Sequence, residues 1–163
     1  MSDQISRKCM SSEHDLFSFA EACSIIRSGD SVKLKELILE GRIDINMVGS
    51  DLYRPQTFLT VACMSGFISC VEELLDGGAD INYRDNSNSV FLSACASGSV
   101  EMVNLIITRG LNANDEILLQ ALNSPSMASN TEITDILLSL IQDANFSRGH
   151  RGSFYCAQVL LEM

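Results

Sequence analysis

The 163-residue sequence predicts an all-α repeat fold, a solenoid of stacked helix-turn-helix units with hairpin loops between them. Its clearest unit is the stretch 66–82, where large apolar residues recur at i, i+3 and i+4, at Val71, Leu74 and Leu75. This spacing predicts a helix from about Ser69 to Asp76. Gly77 and Gly78 can end it, because glycine adopts left-handed backbone angles without steric cost. An isolated helix this short is unstable, so we expect similar units on both sides.

Such units occur along most of the chain. Their apolar pairs are Leu37-Ile38, Leu74-Leu75, Ile106-Ile107 and Leu137-Leu138, which lie 37, 32 and 31 residues apart. A period near 33 residues that contains two short helices indicates a stacked array of repeats.

One unit also resembles a known family. Residues 58–66, Phe-Leu-Thr-Val-Ala-Cys-Met-Ser-Gly, and residues 78–82, Gly-Ala-Asp-Ile-Asn, resemble a whole ankyrin repeat. The resemblance extends over about Leu16 to Asn145 and is strongest for residues 51–114. It implies that each unit is a hairpin followed by two antiparallel helices. It also implies a non-catalytic protein–protein interaction module that binds a partner protein through its hairpin tips and concave helix face.

The expected organisation has three parts. Residues 1–11 form a flexible N-terminal tail, and residues 12–145 form the repeat domain. Its four repeats have bounds near 12–47, 48–83, 84–114 and 115–145. Residues 146–163 supply a basic loop and a C-terminal capping helix or partial repeat.

The first repeat is predicted to cap the stack. Ser12 and Asp15 have the spacing of a capping box, which predicts a helix from about Glu13 to Arg27. A second helix follows from about Val32 to Glu40.

The second and third repeats differ in the length of their hairpins. Gly66 lies twenty positions after Asn46, whereas Gly98 lies sixteen positions after Asn82. The segment 47–55 should therefore project further than its neighbours. In the third repeat either the turn or the helix end is shortened.

Helices are expected from about Thr57 to Met64 and from about Val90 to Ser97. Their first residues depart from the family's Thr-Pro-Leu-His motif and read Thr57-Phe58-Leu59-Thr60 and Val90-Phe91-Leu92-Ser93. The packing leucine is retained in both. The histidine that bonds neighbouring loops is replaced by a hydroxyl residue, so the bonds that it supplies in the family are not expected here.

The fourth repeat departs further from the pattern. A helix is predicted at residues 115–122, directly after the third repeat and without a projecting hairpin. A loop over residues 123–130 then leads to a helix from about Thr131 to Gln142.

Composition excludes several classes of function. The formal net charge is −10. Between Ile43 and Asp143 there are thirteen acidic residues and three arginines. Nucleic acid and membrane surfaces are poor partners, since phosphate binding requires clustered lysine and arginine. No apolar run approaches the length of a membrane span, so we expect a cytoplasmic protein, without excluding the nucleus.

The sequence also offers no set of residues for catalysis, a metal or a cofactor. The six cysteines include no Cys-x-x-Cys pair, and His14 and His150 lie far apart in the sequence. We interpret the cysteines as reduced, small apolar residues of the core. We therefore predict that the protein is not an enzyme.

The ankyrin resemblance implies a set of partner-binding residues at hairpin tips and at the ends of first helices. They are Tyr53, Arg54, Gln56, Met64, Ser65, Tyr83, Arg84, Asn86, Ser87, Ser89, Ala96, Ser97 and Arg109. Acidic residues of the second helices, such as Glu72, Glu73, Asp76 and Glu101, would lie on the outer side. This sorting of charge predicts a partner with an acidic segment, because arginine pairs with carboxylates.

Three alternatives remain open. The domain could be a structural spacer, a scaffold module that self-associates through its C-terminal helix, or a regulatory or effector protein that uses the same face. We expect a monomer when the protein is alone.

Overall fold

The computed structural model describes residues 17–51, 54–84, 89–111, 115–123 and 130–148. In chain order its elements are α1 (Phe19–Ser28), α2 (Ser31–Leu39), β1 (Val48–Asp51), β2 (Arg54–Thr57), α3 (Phe58–Ser65), α4 (Ile68–Asp76), α5 (Val90–Ala96), α6 (Val100–Thr108), α7 (Asp115–Leu122) and α8 (Thr131–Arg148). The bounds predicted for α2, α3, α4, α5 and α7 differ from these by at most one residue.

The helices form consecutive pairs, and the first helices of the pairs stack on one another. α1 packs on α3, α3 on α5 and α5 on α7, while α2 packs on α4 and α6 on α8. One apolar core runs through the stack from Ala22 in α1 to Ile141 in α8. The predicted all-α solenoid is confirmed.

The first helix begins later than predicted. The hydroxyl of Ser18 accepts a hydrogen bond from the Glu21 N–H, and the Glu21 carboxylate accepts one from the Ser18 N–H at 3.0 Å. This reciprocal capping satisfies two backbone donors and fixes the helix start at Phe19. The prediction of a continuous helix from about Glu13 is wrong, and the proposed cap at Ser12 lies outside the described residues.

The shortening in the third repeat lies in its hairpin. Thr57 and Ser89 are the N-caps of α3 and α5, and each is nine residues before the glycine that ends its helix, Gly66 or Gly98. The distance from N-cap to glycine is thus the same in both repeats, which leaves the hairpin as the part that changes.

The N-caps also correct the alignment of the two helices. Counted from its cap, Phe91 occupies the position of Leu59, and these side chains are 0% and 1% exposed. Leu92, predicted to be the packing leucine of the third repeat, is only partly buried. The packing position therefore holds a phenylalanine in the third repeat.

The turn after α4 uses its two glycines differently. Gly78 has a φ of +94°, whereas Gly77 has a φ of −76° and a right-handed conformation. A Cβ on Gly77 would lie 2.6 Å from Ile45 Cδ1 and 2.9 Å from Ile38 Cγ2. The prediction of left-handed backbone is confirmed only for Gly78, whereas a Cβ at Gly77 would have to displace the ends of the Ile45 and Ile38 side chains.

The hairpin of the second repeat packs against the first repeat. β1 and β2 are antiparallel, with Asp51 opposite Arg54 and Gly49 opposite Gln56. A Cβ on Gly49 would collide with the Phe19 ring, so only glycine permits this approach. The hairpin therefore covers the start of α1.

Aromatic stacking connects the same two repeats. The ring centroids of Phe19 and Phe58, each the first residue of its helix, lie 4.9 Å apart with an interplanar angle of 21°. This geometry lies within the range favoured by aromatic pairs.

Asparagine provides hydrogen bonds between repeats. Asn46 Nδ2 donates to the Gly78 carbonyl at 3.2 Å, and Asn46 Oδ1 accepts from the Asp80 N–H at 2.8 Å. Counted from the N-caps, the histidine position holds Thr60 in the second repeat and Leu92 in the third, and the hydroxyls of Thr60 and Ser93 bond locally. Thr60 Oγ1 donates to the Thr57 carbonyl at 2.8 Å, and Ser93 Oγ donates to the Ser89 carbonyl at 2.9 Å.

The last described helix is longer than predicted. α8 continues to Arg148, beyond the predicted end near Gln142. The first residues of the predicted basic loop, 146–148, are therefore helical. The C-terminal helix predicted at residues 153–163 lies outside the described residues.

Candidate interaction surface

The hairpin tips are only partly described. Tyr53, Asn86 and Ser87 lie outside the described residues, and for Arg54 the structure gives only the backbone, opposite Asp51. The third-repeat hairpin closes with an isolated antiparallel bridge between Arg84 and Ser89. The candidate tip residues therefore belong to two hairpins of different length.

The ends of the first helices present exposed residues at equivalent positions. Met64 in α3 and Ala96 in α5 each lie two residues before a left-handed glycine, and Met64 is 53% exposed. Ser65 and Ser97 follow them and are half-buried. The Ser97 hydroxyl donates to the Ala94 carbonyl at 2.6 Å, which closes the end of α5.

Ser89 does not belong to an accessible surface. It is 5% exposed, and its hydroxyl accepts a hydrogen bond from the Leu92 N–H at 3.1 Å. This N-cap role occupies the side chain within the fold. Its prediction as a partner-binding residue is corrected accordingly.

The predicted sorting of charge by face is wrong at one pair. Arg109, assigned to the concave side, donates to the carboxylate of Asp76, assigned to the outer side, at 2.6 Å. The two residues lie at the ends of the second helices α6 and α4, which explains why they meet. Arg84 is exposed, and it has no ion pair with another described residue.

A second ion pair joins the second helices of the first two repeats. Lys35 Nζ lies 2.9 Å from Glu73 Oε1, and the hydrogen bond and charge of Glu73 raise the pKa of the lysine. Pairs this exposed contribute little to stability because water and salt screen them.

A pocket of about 310 Å³ opens beside Arg84. It lies between the third-repeat hairpin, the start of α5, the turn after α6, and α7. Its lining includes the apolar residues Ile81, Phe91, Leu111 and Ile117, but polar groups contribute the larger share of its accessible surface. Gln56, the remaining predicted residue of the second hairpin, is half-buried in β2.

The buried cysteines lack the environment of a reactive thiol. Burial raises the pKa of Cys63 to about 12 and that of Cys95 to about 12, and it also raises the pKa of Cys70. Reactive cysteines have a lowered pKa and an accessible sulfur. In the described part of the chain, no group of three metal-binding side chains comes together and no helix has the length and apolarity of a membrane span.

The comparisons with known proteins agree with this architecture. A family model for three copies of ankyrin repeats matches residues 21–117. The chain therefore belongs to the ankyrin repeat family. Ankyrin repeats are generally non-catalytic protein–protein interaction modules.

Two individual proteins are similar to parts of the chain. The E3 ubiquitin-protein ligase Ufd4 of Drosophila melanogaster is 41% identical over 70 residues, which are 43% of this chain and 2% of that protein. The crystal structure of the human ASB11 ankyrin repeat domain has a TM-score of 0.50 and 25% identity, and the match covers 69% of this chain and 55% of that chain. The chain thus spans a small fraction of the first and about half of the second.

Sequence reasoning did not find the pocket residues Ile81, Leu111 and Ile117. They look like ordinary core residues at the ends of their units. The available signal was the short connection to the fourth repeat, because only residues 112–114 separate Leu111 from α7.

Proposed function

We propose that this protein binds a partner protein through the hairpin tips and the exposed ends of its first helices. The proposal rests on the exposure of the Met64 side chain. All six preceding residues of α3, 58–63, are buried, whereas the Met64 side chain is 53% exposed. Methionine adapts its shape to an apolar contact and is common at binding surfaces.

The neighbouring repeats extend this surface. Ala96 is exposed at the equivalent end of α5, and Arg84 is exposed on the third-repeat hairpin. Tyr53, Asn86 and Ser87 belong to the same proposal through their positions at the hairpin tips. Arg109 contributes less because its guanidinium already pairs with Asp76.

An acidic partner segment fits the remaining charge. Arg84 is exposed, and arginine forms paired hydrogen bonds with carboxylates, so it can receive an acidic side chain of the partner. A standard interface covers about 800 Å² on each partner, which several adjacent repeats can supply. We infer that the protein acts as a monomer until it meets this partner.

The cysteines support a reducing compartment. Cys23, Cys63, Cys70 and Cys95 are buried, and none of these four forms a disulfide. Extracellular domains of this size commonly convert such residues to disulfides, whereas cytosolic and nuclear proteins keep them reduced. We therefore place the protein in the cytoplasm or nucleus.

The test is affinity capture with the full chain, followed by a binding measurement on the captured protein. In the test variant, Met64→Glu is combined with Ala96→Glu. In the control, Val32→Glu is combined with Leu39→Glu on α2, where the two side chains are 68% and 77% exposed. Both variants add two negative charges at exposed positions.

We expect the first variant to raise the Kd at least about tenfold, since each lost interface contact of about 1.4 kcal/mol has that effect. The control should bind as the parent does. Equal losses would attribute the effect to net charge, and a larger loss in the control would move the interface to the second helices. Self-association seen by light scattering without a partner would favour the scaffold alternative.

A further inference from the structure

We propose that Phe67, in the turn between α3 and α4, extends the interaction surface and receives a large apolar side chain from an uncharged segment of the partner. This inference rests on the proposed function and names the chemistry that the partner presents beside Met64. The site lies at the end of α3 away from the hairpin, about 12 Å along the helix, because its eight residues rise 1.5 Å each.

The turns between the paired helices share one backbone geometry in the first three repeats. Each contains a left-handed glycine with a φ between +72° and +77°, and these glycines are Gly29, Gly66 and Gly98. Two positions before the glycine stand, in chain order, Arg27, Met64 and Ala96. Directly after it stand Asp30, Phe67 and Ser99. Of these three repeats, only the second therefore places large apolar side chains at both positions.

Phe67 occupies a position at which a polar residue would stabilise the fold. Asp30 caps α2 by accepting a hydrogen bond from the Lys33 N–H at 3.0 Å. Ser99 caps α6 by accepting one from the Met102 N–H at 3.2 Å. Phe67 is the N-cap of α4, and its side chain makes no such bond. Because small polar residues are the preferred N-caps, phenylalanine weakens this helix start, and departures of this kind from a local rule are expected at functional sites.

One side of the Phe67 ring is used within the fold. A Cβ on Gly29 would lie 2.7 Å from Phe67 Cε1, so the ring packs against the turn of the first repeat. Phe67 nevertheless remains 38% exposed, and Met64, three residues earlier, is 53% exposed. Packing on Gly29 holds the ring in place before any partner binds. An apolar contact with it therefore costs little conformational entropy.

The surroundings of Met64 and Phe67 favour an uncharged partner segment. A fifth of all residues in the chain are charged, yet the seventeen residues 55–71 include none, and neither do residues 89–100 of the third repeat. The adjoining turn of the first repeat carries one charge of each sign, at Arg27 and Asp30. The centres of interfaces are depleted in charged residues and enriched in aromatic residues and methionine. A leucine, methionine or phenylalanine of the partner would therefore fit this site, whereas a charged group would lose water without meeting an opposite net charge.

The probe is a library of random phage-displayed peptides, selected on the full chain after depletion on the Phe67→Ser variant. Serine is a preferred N-cap, so this variant removes the ring and offers α4 the cap that it lacks. Depletion leaves the peptides whose binding requires the ring. We expect these peptides to share a large apolar residue and to carry no net charge.

Affinity measurements on the selected peptides then test the contacts. Phe67→Ser and Met64→Ser should each raise the Kd at least about tenfold, as expected for residues near the centre of an interface. Leu39→Ser is the control, because it removes a side chain that is 77% exposed at the other end of α2 from Gly29, and it should leave the Kd unchanged. Raising the salt from about 50 to about 500 mM should change the Kd less than about twofold, since salt screens charges and not apolar contacts.

The competing explanation is that Phe67 serves only to pack on Gly29. It predicts that Phe67→Ser weakens the protection of α1 and α2 in hydrogen exchange and leaves peptide binding unchanged wherever the variant is folded. If Phe67→Ser does not fold, Met64→Ser replaces it in the depletion, because Met64 is 53% exposed and its loss disturbs the core least.

Several outcomes would overturn the inference. They are failure to enrich any peptide, enrichment of charged peptides whose binding weakens with salt, and an unchanged Kd in Met64→Ser. Nuclear Overhauser contacts between the Phe67 ring and residues 1–16 in the free protein would assign the ring to the chain's own N-terminal segment. Ring signals that shift with protein concentration would assign it to a second copy.

The proposed function is judged separately, with the captured partner. Loss of partner binding in the Met64→Glu and Ala96→Glu variant, together with normal binding in Phe67→Ser, would retain the interaction surface and reject Phe67 as part of it. Loss of partner binding in Phe67→Ser, with Leu39→Ser unaffected, would support the inference. Normal partner binding in all of these variants would reject the proposed function itself.

Discussion

The side chain of Asn46 reaches from the end of the first repeat to Gly78 at the end of the second. Its amide donates to the Gly78 carbonyl at 3.2 Å, while its oxygen accepts from the Asp80 N–H at 2.8 Å. Both bonded groups belong to the backbone of the next turn. One residue thus fixes the spacing between two repeats, in a protein where the hydroxyls of Thr60 and Ser93 bond within their own helices.

Replacing this residue should weaken the junction. Asn46→Ala removes both hydrogen bonds, and we expect a loss of about 1 to 2 kcal/mol in the free energy of unfolding, measured by urea denaturation. Asn104→Ala on the exposed face of α6 is the control, and it should be neutral or slightly stabilising because alanine favours helix. Equal effects of the two substitutions would show that the bonds of Asn46 add no net stability.

Replacing Gly49 or Gly41 by alanine should lower the free energy of unfolding, but for different reasons. Gly49→Ala places a Cβ against the Phe19 ring, and overpacking of this kind costs about 1 to 3 kcal/mol. Gly41→Ala meets no atom within 4 Å, but its φ of +65° is left-handed and costs about 1 kcal/mol.

The two causes can be separated by a second substitution. Phe19→Leu should recover part of the loss caused by Gly49→Ala, since it removes the ring that the methyl group meets. It should not improve Gly41→Ala. Additive effects in both pairs, measured by thermal and urea unfolding, would contradict the contact between Gly49 and Phe19.

The central helix α4 should be sensitive to loss of its core leucine. Leu74 is 0% exposed, and Leu74→Ala should lower the free energy of unfolding by about 2 to 5 kcal/mol through lost burial and a new cavity. Leu39→Ala, at a residue 77% exposed, should have little effect. Hydrogen exchange should show weakened protection in the repeats on both sides of α4, since stability in a stack depends on neighbouring units. An effect confined to α4 would argue against a shared core.

Stability should fall in alkaline solution because of the buried thiols. Burial raises the pKa of Cys63 from 9.0 to about 12, so above pH 9 the unfolded chain loses a proton that the native protein retains. The thiol's contribution to stability is complete below the unfolded pKa and is lost as the pH rises toward the native one. Between about pH 8 and pH 10, this single thiol should lower the free energy of unfolding by about 1.4 kcal/mol.

Cys63→Ala provides the comparison for this effect. The substitution lowers the free energy of unfolding at every pH because packing is lost. The two proteins are therefore compared by how much free energy of unfolding each loses between about pH 8 and pH 10. That change should be smaller in the variant than in the parent by the contribution of one thiol. An identical change in both proteins would mean that Cys63 has the same pKa in the native and unfolded chains.

The exposure of two residues of the proposed interaction surface was predicted from the repeat register. The equivalence of Met64 and Ala96 follows from their spacing to Gly66 and Gly98, and both are exposed. The burial of Ser89 could not be read from its residue type, because a serine serves equally well as an N-cap or as a surface donor. The pairing of Arg109 with Asp76 required knowledge of which helix ends lie together.

The sequence by itself determined the repeat class and most helix bounds, because apolar periodicity and turn glycines are local properties of the chain. The tertiary structure decided which residues act across repeats. It selected Ser18 as the first cap, placed Phe91 at the position of Leu59, and brought Gly49 onto Phe19. It also left the pocket beside Arg84, since a pocket depends on what a neighbouring unit fails to cover, and this becomes defined only when the repeats stack.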